Sequence, residues 1–282
     1  MPFNDIFLQN ASKLIDAKSA EGDFAYMRDI IKKAIANIKN INPSDIDVYM
    51  HGSYANATNI FFPSRLEVCV QLKVPQYDFT ATKEYYISHE LPYGPQDFRI
   101  DLFNALSEVV ANSPKQEQVE GPSCTLENKC IIVPKHGPLK HAVEVLPGLS
   151  FVLKDETNGG AFNGVLVYDD KVKSDIATFP KLHQANGQTK DTYTGGNFKR
   201  LVRTFKTLNT IYKRENLEEF QKITPARGYF IECLLFNIPN NLYIGKTLND
   251  VFLKVINYLA NASLENFVCQ NLVWHLFGVA AE

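Results

Sequence analysis

Several classes of protein are excluded by what this sequence lacks. It has no CxxC pair, and its cysteines are odd in number: Cys69, Cys124, Cys130, Cys233 and Cys269. We therefore expect neither a disulfide framework nor a zinc site. No run approaches 18 uninterrupted apolar residues, and the N-terminus lacks a basic stretch followed by an apolar one. These absences predict a cytoplasmic protein without a membrane span.

Charge of one sign is also lacking, because 29 basic residues face 31 acidic ones and the net charge is -2. A globally basic nucleic-acid-binding protein is therefore not indicated, and we expect no nucleic-acid partner. The chain has 282 residues, of which 45% are hydrophobic. That length allows a substantial core in one large domain or two closely packed ones, and we expect a monomer.

The spacing of apolar residues predicts an α+β fold. Helical spacing over residues 4–18 and 22–40 precedes a series of short strands, which we expect at residues 47–50, 64–72, 129–134, 140–147 and 164–168. Residues 97–112 are predicted to form a helix between the strands. The layout indicates N-terminal helices followed by a mixed sheet.

The character of the chain changes at residue 178. Residues 178–196 are polar, contain proline and glycine, and are predicted to form a structured loop. A basic amphipathic helix is expected over residues 197–214. Further helices are expected at residues 225–237, 247–261 and 263–278. We therefore place a first domain at residues 1–177 and a helical lobe at residues 178–282.

The first candidate site lies where a short strand runs into Gly52 and Ser53. Glycine lets the backbone approach a phosphate closely, and Ser53 adds a hydroxyl beside the amides of the next turn. Glu67 lies among Leu66, Val68 and Val70, and Glu144 lies among Val143, Val145 and Leu146. Carboxylates on adjacent strands can hold Mg²⁺ beside a triphosphate. These residues predict binding of a nucleoside triphosphate with Mg²⁺ or Mn²⁺.

A second candidate site is the stripe formed by Lys199, Arg203 and Lys206, at spacing i, i+4 and i+7. The stripe either contacts a triphosphate or is the solvated face of an amphipathic helix, as most charge runs are.

Simpler interpretations also exist for the first site, because glycine and serine are common in turns. A lone glutamate on a half-exposed strand commonly faces solvent.

The order of these features resembles the nucleotidyltransferase superfamily of DNA polymerase beta. Within it, the chain is most similar to the bacterial CD-NTases, which are relatives of cyclic GMP-AMP synthase and oligoadenylate synthase. The family pattern is a Gly-Ser, a Thr, an acidic-x-acidic strand, and a third acidic residue before a proline. This chain offers Gly52-Ser53, Thr58, Arg65-Leu66-Glu67, and Glu144 with Pro147. Residues 179–187 and 197–206 resemble the family's loop and basic helix.

The resemblance implies a nucleotidyltransferase core over residues 1–177 and a helical lobe over residues 178–282, with a cleft between them. It implies that Glu67 and Glu144 are catalytic metal ligands. The implied nucleotide-binding residues are Gly52, Ser53, Thr58, Arg65, Lys199, Arg203 and Lys206. Arg65 departs from the pattern, because it stands where the family has its first metal carboxylate. A guanidinium repels a metal ion, but it could pair with Glu67 or contact a phosphate.

The function implied by the resemblance is synthesis of a cyclic di- or oligonucleotide second messenger from NTPs, ATP among them. The product would activate a separate effector in bacterial anti-phage (CBASS-type) signalling. Arg65 motivates an alternative, a catalytically degenerate nucleotide-binding sensor or scaffold of the same fold. A transferase that modifies protein or RNA fits less well, because no appended RNA-binding module is visible.

Overall fold

The computed structural model describes residues 5–61, 65–80, 86–87, 93–113, 123–155, 160–215 and 226–277. The chain forms two compact units. The sheet unit comprises Asp16–Tyr54 and Arg65–Pro180. The helical unit comprises Met1–Ile15, Ala55–Ser64 and Lys181–Glu282. The cleft expected from the sequence stays a prediction.

The sheet has eight strands within the described residues. They are β1 (Ile46–His51), β2 (Leu66–Thr80), β3 (Tyr86–Ile87), β4 (Thr125–Glu127), β5 (Cys130–Val133), β6 (Val143–Asp155), β7 (Gly160–Asp169) and β8 (Ser174–Thr178). The strand order is β1-β2-β6-β7-β8-β3, and β5 pairs with both β4 and β6. Strands β2 and β6 run parallel, whereas β1 and β2 run antiparallel. The mixed sheet expected from the sequence is confirmed.

Along the described part of the chain, two α-helices precede the first strand, two lie between strands, and the others follow the last strand. They are α1 (Asp5–Ala11), α2 (Ala17–Ala36), α3 (Gly52–Ala55), α4 (Pro95–Ala111), α5 (Pro180–Tyr193), α6 (Asn197–Glu215), α7 (Gly228–Phe236) and α8 (Leu248–Asn261). Two 3-10 helices span Pro43–Asp45 and Asn240–Tyr243. Among the residues that the structure describes, no helix combines the length and the apolar character needed to cross a membrane.

Alternation along β2 decides which face of the sheet carries the candidate carboxylates. Leu66, Val68 and Val70 are fully buried in a cluster shared with α2 and α4. Side chains at intervening positions point to the opposite face of the sheet. Cys69 on that face packs in a separate apolar cluster with residues of β5, β6 and β7. Glu67 therefore leaves the sheet on the side away from α2 and α4.

The helical unit is built around the apolar face of α6. Phe198, Leu201 and Val202 are buried there with side chains of α7 and α8. Leu8 of α1 is part of the same buried cluster, and the Ser12 carbonyl accepts a hydrogen bond from Arg203 Nε at 2.5 Å. The boundary predicted at residue 177 assigned these N-terminal residues to the core. The structure instead groups them with the C-terminal helices, because α1 packs on α6 and α8.

Two predictions of secondary structure are wrong. Residues 178–196 were expected to form a loop, but α5 begins at Pro180, where a fixed φ favours the first helical turn. Residues 263–278 were expected to form a helix, but their described part consists of turns with a bridge between Val268 and His275. The Asn271 side chain accepts the backbone N–H of Val273 at 2.9 Å, an interaction that favours a turn over a helix.

Candidate nucleotide-binding and catalytic site

The two candidate carboxylates lie side by side in the sheet unit. Glu67 of β2 and Glu144 of β6 are directly paired in the parallel register. Their side chains therefore leave the same face of the sheet. Burial, together with the neighbouring Glu144 carboxylate, raises the pKa of the Cys130 thiol, which remains neutral at physiological pH. The sheet thus creates a local pair of acidic groups, as the sequence predicts.

The Gly-Ser turn lies against the first of these carboxylates. Gly52 has a φ of +67°, and a Cβ atom there would fall 1.0 Å from Glu67 Oε2. The backbone N–H of Ser53 donates to the same oxygen at 3.1 Å. Both the left-handed conformation and the close approach require glycine. The amide that the sequence assigns to a phosphate is therefore hydrogen-bonded to Glu67 in this structure.

Arg65 has a partner that the sequence does not reveal. Its Nη1 and Nη2 donate to the two carboxylate oxygens of Glu127 at 2.6 and 3.1 Å. Nη1 also lies 3.8 Å from Glu144 Oε2. The hydrogen bond to Glu127 raises the pKa of Arg65, which stays protonated. Glu127 lies on the three-residue, exposed strand β4 and carries no sequence signal of this pairing.

The carboxylate pair fits a cation held partly by substrate. Among the described residues, no group of three or more His, Cys, Asp or Glu side chains is placed to hold a metal ion. Mg²⁺ is commonly bound by one or two carboxylates together with substrate phosphates and water. Glu67 and Glu144 match that donor set, whereas the Arg65 charge near Glu144 opposes a cation. The site therefore suits Mg²⁺ that arrives with a triphosphate.

In the helical unit, two residues predicted to bind the nucleotide form hydrogen bonds with a buried carboxylate, and their role at the nucleotide stays a prediction. The Thr58 hydroxyl donates to Glu232 Oε1 at 2.6 Å. Lys206 Nζ donates to the same oxygen at 2.5 Å and lies 3.0 Å from Thr58 Oγ1. Sequence reasoning missed Glu232, although a lone charge in the apolar run of α7 was an available signal. A buried charge of this kind requires partners.

The other two residues of the basic stripe also have partners within the helical unit. Arg203 donates from Nε to the Ser12 carbonyl and from Nη1 to the Ala57 carbonyl. Lys199 Nζ donates to Gln188 Oε1 at 2.5 Å. Burial lowers the pKa of both Lys199 and Arg203. Lys199, Arg203 and Lys206 are only 7–8% exposed, so the interpretation of the stripe as a solvated face is wrong.

Comparison with known proteins identifies the family. The model for the cGAS/DncV-like nucleotidyltransferase C-terminal helical domain matches residues 185–282. A cyclic UMP-AMP synthase of Rhodothermus marinus (strain SG0.5JP17-172) is 31% identical over 243 residues, which cover 82% of this chain and 76% of that protein. The chain belongs to the cGAS/DncV-like nucleotidyltransferase (CD-NTase) family. The resemblance read from the sequence motifs is confirmed.

Solved CD-NTase structures share the fold. The Rhodothermus marinus CdnE c-UMP-AMP synthase with Apcpp and Upnpp superimposes with a TM-score of 0.76 at 26% identity, covering 99% of this chain and 89% of that chain. The Elizabethkingia meningoseptica CdnE cyclic dinucleotide synthase with GTP and Apcpp gives a TM-score of 0.75 at 22% identity, covering 98% and 91%. At 22% identity, the second comparison shows a shared fold and nothing further. Both likenesses extend over nearly the whole chain, beyond the segment matched by the family model.

Proposed function

We propose that this CD-NTase is an enzyme that condenses nucleoside triphosphates into a cyclic di- or oligonucleotide. The observation that carries the proposal is the register pairing of Glu67 with Glu144 beside the Gly52-Ser53 turn. Nucleotidyl transfer needs acidic groups close to a phosphate-binding turn, because the chemistry depends on positioning and charge stabilisation. The relatives named as cyclic nucleotide synthases favour a cyclic product over other nucleotidyl transfers.

Each residue has a distinct role in this proposal. Gly52 and Ser53 bring backbone amides to the triphosphate, and Glu67 orients Ser53 through its hydrogen bond. Glu144 orients the attacking hydroxyl and accepts its proton. Glu67 and Glu144 would hold Mg²⁺ or Mn²⁺ together with the triphosphate, and the ion would supply positive charge beside the leaving pyrophosphate. Lys199 supplies further positive charge for NTP binding.

The biological role that we propose rests on the resemblance to the bacterial CD-NTases. We propose that the chain acts in anti-phage (CBASS-type) signalling, with NTPs, ATP among them, as substrates. The cyclic product would then activate a separate effector protein. The enzyme works as a monomer in the cytoplasm, where its substrates are made.

Glu67→Gln and Glu144→Gln test the proposed catalytic pair. Each change removes an anionic oxygen at nearly constant volume, so we expect turnover to fall by about 100-fold or more. Thermal unfolding should stay close to that of the wild type, because the Glu144 side chain is partly exposed. Glu265→Gln, at an exposed position of the helical unit, is the matched control. Wild-type turnover in either site variant contradicts the assignment.

The second candidate function is a nucleotide sensor that binds without turnover. Arg65 favours it, because its guanidinium lies 3.8 Å from Glu144 and can take the place of a cation. Arg65→Asp separates the two functions by restoring the acidic-x-acidic strand. For an adapted enzyme, we expect NTP turnover to change by less than about threefold. Turnover that is absent in the wild type and present in Arg65→Asp would select the sensor.

Glu127→Gln is the matched control for that experiment. It weakens the charge-assisted pair of Arg65 without adding a carboxylate next to Glu67. Because the two side chains are 40% and 51% exposed, loss of the pair should change the free energy of unfolding little. A gain of activity in Arg65→Asp that Glu127→Gln does not share therefore reports on the new carboxylate.

A further inference from the structure

A buried carboxylate of the helical unit accepts a full set of hydrogen bonds from side chains that are distant in the sequence. Glu232 is the lone charged residue of α7 and is 3% exposed. Its two oxygens accept four hydrogen bonds from three separate segments of the chain. The donors are Asn56 Nδ2 at 3.1 Å, Thr58 Oγ1 at 2.6 Å, His183 Nε2 at 2.6 Å and Lys206 Nζ at 2.5 Å. We call these five residues the Glu232 cluster.

The Glu232 cluster is balanced in charge. Burial by itself would raise the pKa of Glu232, but the Lys206 ammonium and the His183 ring outweigh it and hold that pKa well below its usual range. His183 Nδ1 is buried and has no hydrogen-bond partner among the described residues. Because an ionised carboxylate only accepts hydrogen bonds, His183 Nε2 carries the proton of its bond to Glu232. The Glu232 carboxylate and the Lys206 ammonium are in direct contact and compensate each other.

The cluster fixes a stretch of backbone that is unfavourable by itself. Ala57 has a φ of +52°, a left-handed conformation that is unfavourable for a residue with a Cβ. Its neighbours Asn56 and Thr58 are both tied to Glu232, and its carbonyl accepts a hydrogen bond from Arg203. A conformation of this kind persists only where surrounding contacts impose it.

The fixed stretch follows the phosphate-binding turn directly in the chain. Residues 56–58 begin three positions after Ser53, in the motif segment that ends at Thr58. The Thr58 hydroxyl and the Lys206 ammonium are both used inside the Glu232 cluster. These contacts hold the segment in place.

We propose that Glu232, paired with Lys206, is a positioning residue for nucleotidyl transfer: it fixes residues 56–58 and, through them, the chain that leaves Gly52 and Ser53. The inference rests on the proposed function, because it names what keeps the phosphate-binding turn in its working conformation. Small displacements of groups that orient a substrate are costly, since misplacement by about 1 Å can lower a rate by about 100-fold.

A charge-matched pair of variants separates positioning from stability. Glu232→Gln leaves the Lys206 charge buried without a counter-ion, so both the melting temperature and kcat should fall, kcat by about tenfold or more. Combining Glu232→Gln with Lys206→Met removes both charges and should restore much of the melting temperature. We expect kcat to stay low in the double variant, with KM for NTP within about threefold of the wild type.

Two further comparisons complete the test. Val255→Ala opens a cavity in the apolar cluster of the same helical unit, which includes none of the five residues of the Glu232 cluster, and should lower the melting temperature with little loss of kcat. Thr58→Ser keeps the hydroxyl donor and should keep kcat, whereas Thr58→Val removes the donor and should lower it. Recovery of kcat together with melting temperature in the double variant would overturn the proposal. A rise in KM alone would overturn it as well, because that result indicates direct nucleotide contact.

Hydrogen–deuterium exchange distinguishes failure of this inference from failure of the proposed function. A wild-type protein without turnover contradicts the proposed function, and the exchange of a peptide covering residues 53–61 then decides the positioning role. Glu232→Gln and Thr58→Val should lose protection in that peptide, while Val255→Ala and Thr58→Ser should retain it. Equal protection in all four variants would show that the cluster does not fix this segment.

Discussion

At the scale of single residues, the candidate site depends on one close approach. The Glu67 carboxylate occupies the space that a side chain at position 52 would fill, and it accepts the Ser53 amide. Gly52 therefore has two requirements, a left-handed backbone and the absence of a Cβ. Gly195 has a left-handed backbone but open space around it, so a comparison with Gly195 separates the two requirements.

Gly52→Ala and Gly195→Ala make that comparison. Gly195 has a φ of +60° with open space around it, so alanine there should cost about 1 kcal/mol of stability and leave turnover unchanged. At position 52, alanine brings the same backbone strain and also displaces the Glu67 carboxylate. We therefore expect turnover to fall by about 100-fold. Thermal unfolding and NTP consumption measure the two effects. Equal turnover in the two variants would show that the Gly52–Glu67 contact has no catalytic importance.

The residues that sequence reasoning placed correctly are those governed by local rules. Glu67 and Glu144 meet because each lies in a strand whose alternation is visible in the sequence. Thr58 and Glu232 are 174 positions apart, and Arg65 and Glu127 are 62 apart. Such pairings depend on how distant segments fold together, and one sequence does not reveal them. The sequence therefore predicts which carboxylates lie together on the sheet, but not which distant side chains pair with Thr58 and Arg65.

At the scale of elements, prediction succeeded where the apolar spacing was strong. The basic helix expected at residues 197–214 is observed as Asn197–Glu215, since its apolar residues follow one face throughout. The helix Pro180–Tyr193 was missed, because its buried face is made of polar residues and glycine: His183, Gly187 and Lys190. Residues 263–277 were misassigned, because an apolar run can pack as turns when asparagine side chains bind the backbone.

The basic helix offers a prediction of its own. The Lys199 side chain is buried and donates a hydrogen bond to Gln188. Burial lowers the pKa of Lys199, because its ammonium group is partly removed from water. A charge in such surroundings interacts more strongly with phosphate than one in water. Lys199→Ala should therefore weaken NTP binding by about tenfold, and Lys213→Ala in the last turn of the same helix by much less. Calorimetric titration with a non-hydrolysable NTP measures both affinities.

Equal losses of affinity in the two variants would show that only general positive charge matters. Lys199→Gln is a useful third variant, because its amide can still interact with Gln188 while the charge is gone. If Lys199→Gln binds NTP as well as the wild type does, the contribution of Lys199 is structural. Its melting temperature shows whether the helix itself has been weakened.

At the scale of the whole molecule, the chain does not divide at a single boundary. The helical unit takes Met1–Ile15 and Ala55–Ser64 as well as the C-terminal residues. The segment that follows the Gly-Ser turn therefore belongs to the unit that contains the Glu232 cluster. A boundary drawn from composition at residue 177 could not show this, because composition changes along the chain while packing joins distant parts of it.

The proposed function requires that this CD-NTase makes a cyclic nucleotide with Glu67 and Glu144. The most direct measurement is mass spectrometry of products from all four NTPs, with Mg²⁺ or Mn²⁺, for the wild type and for the Glu67→Gln/Glu144→Gln double variant. We predict a cyclic di- or oligonucleotide, with release of pyrophosphate, from the wild type and none from the double variant. No NTP consumption by the wild type with either metal, or the same product from both proteins, would contradict the claim.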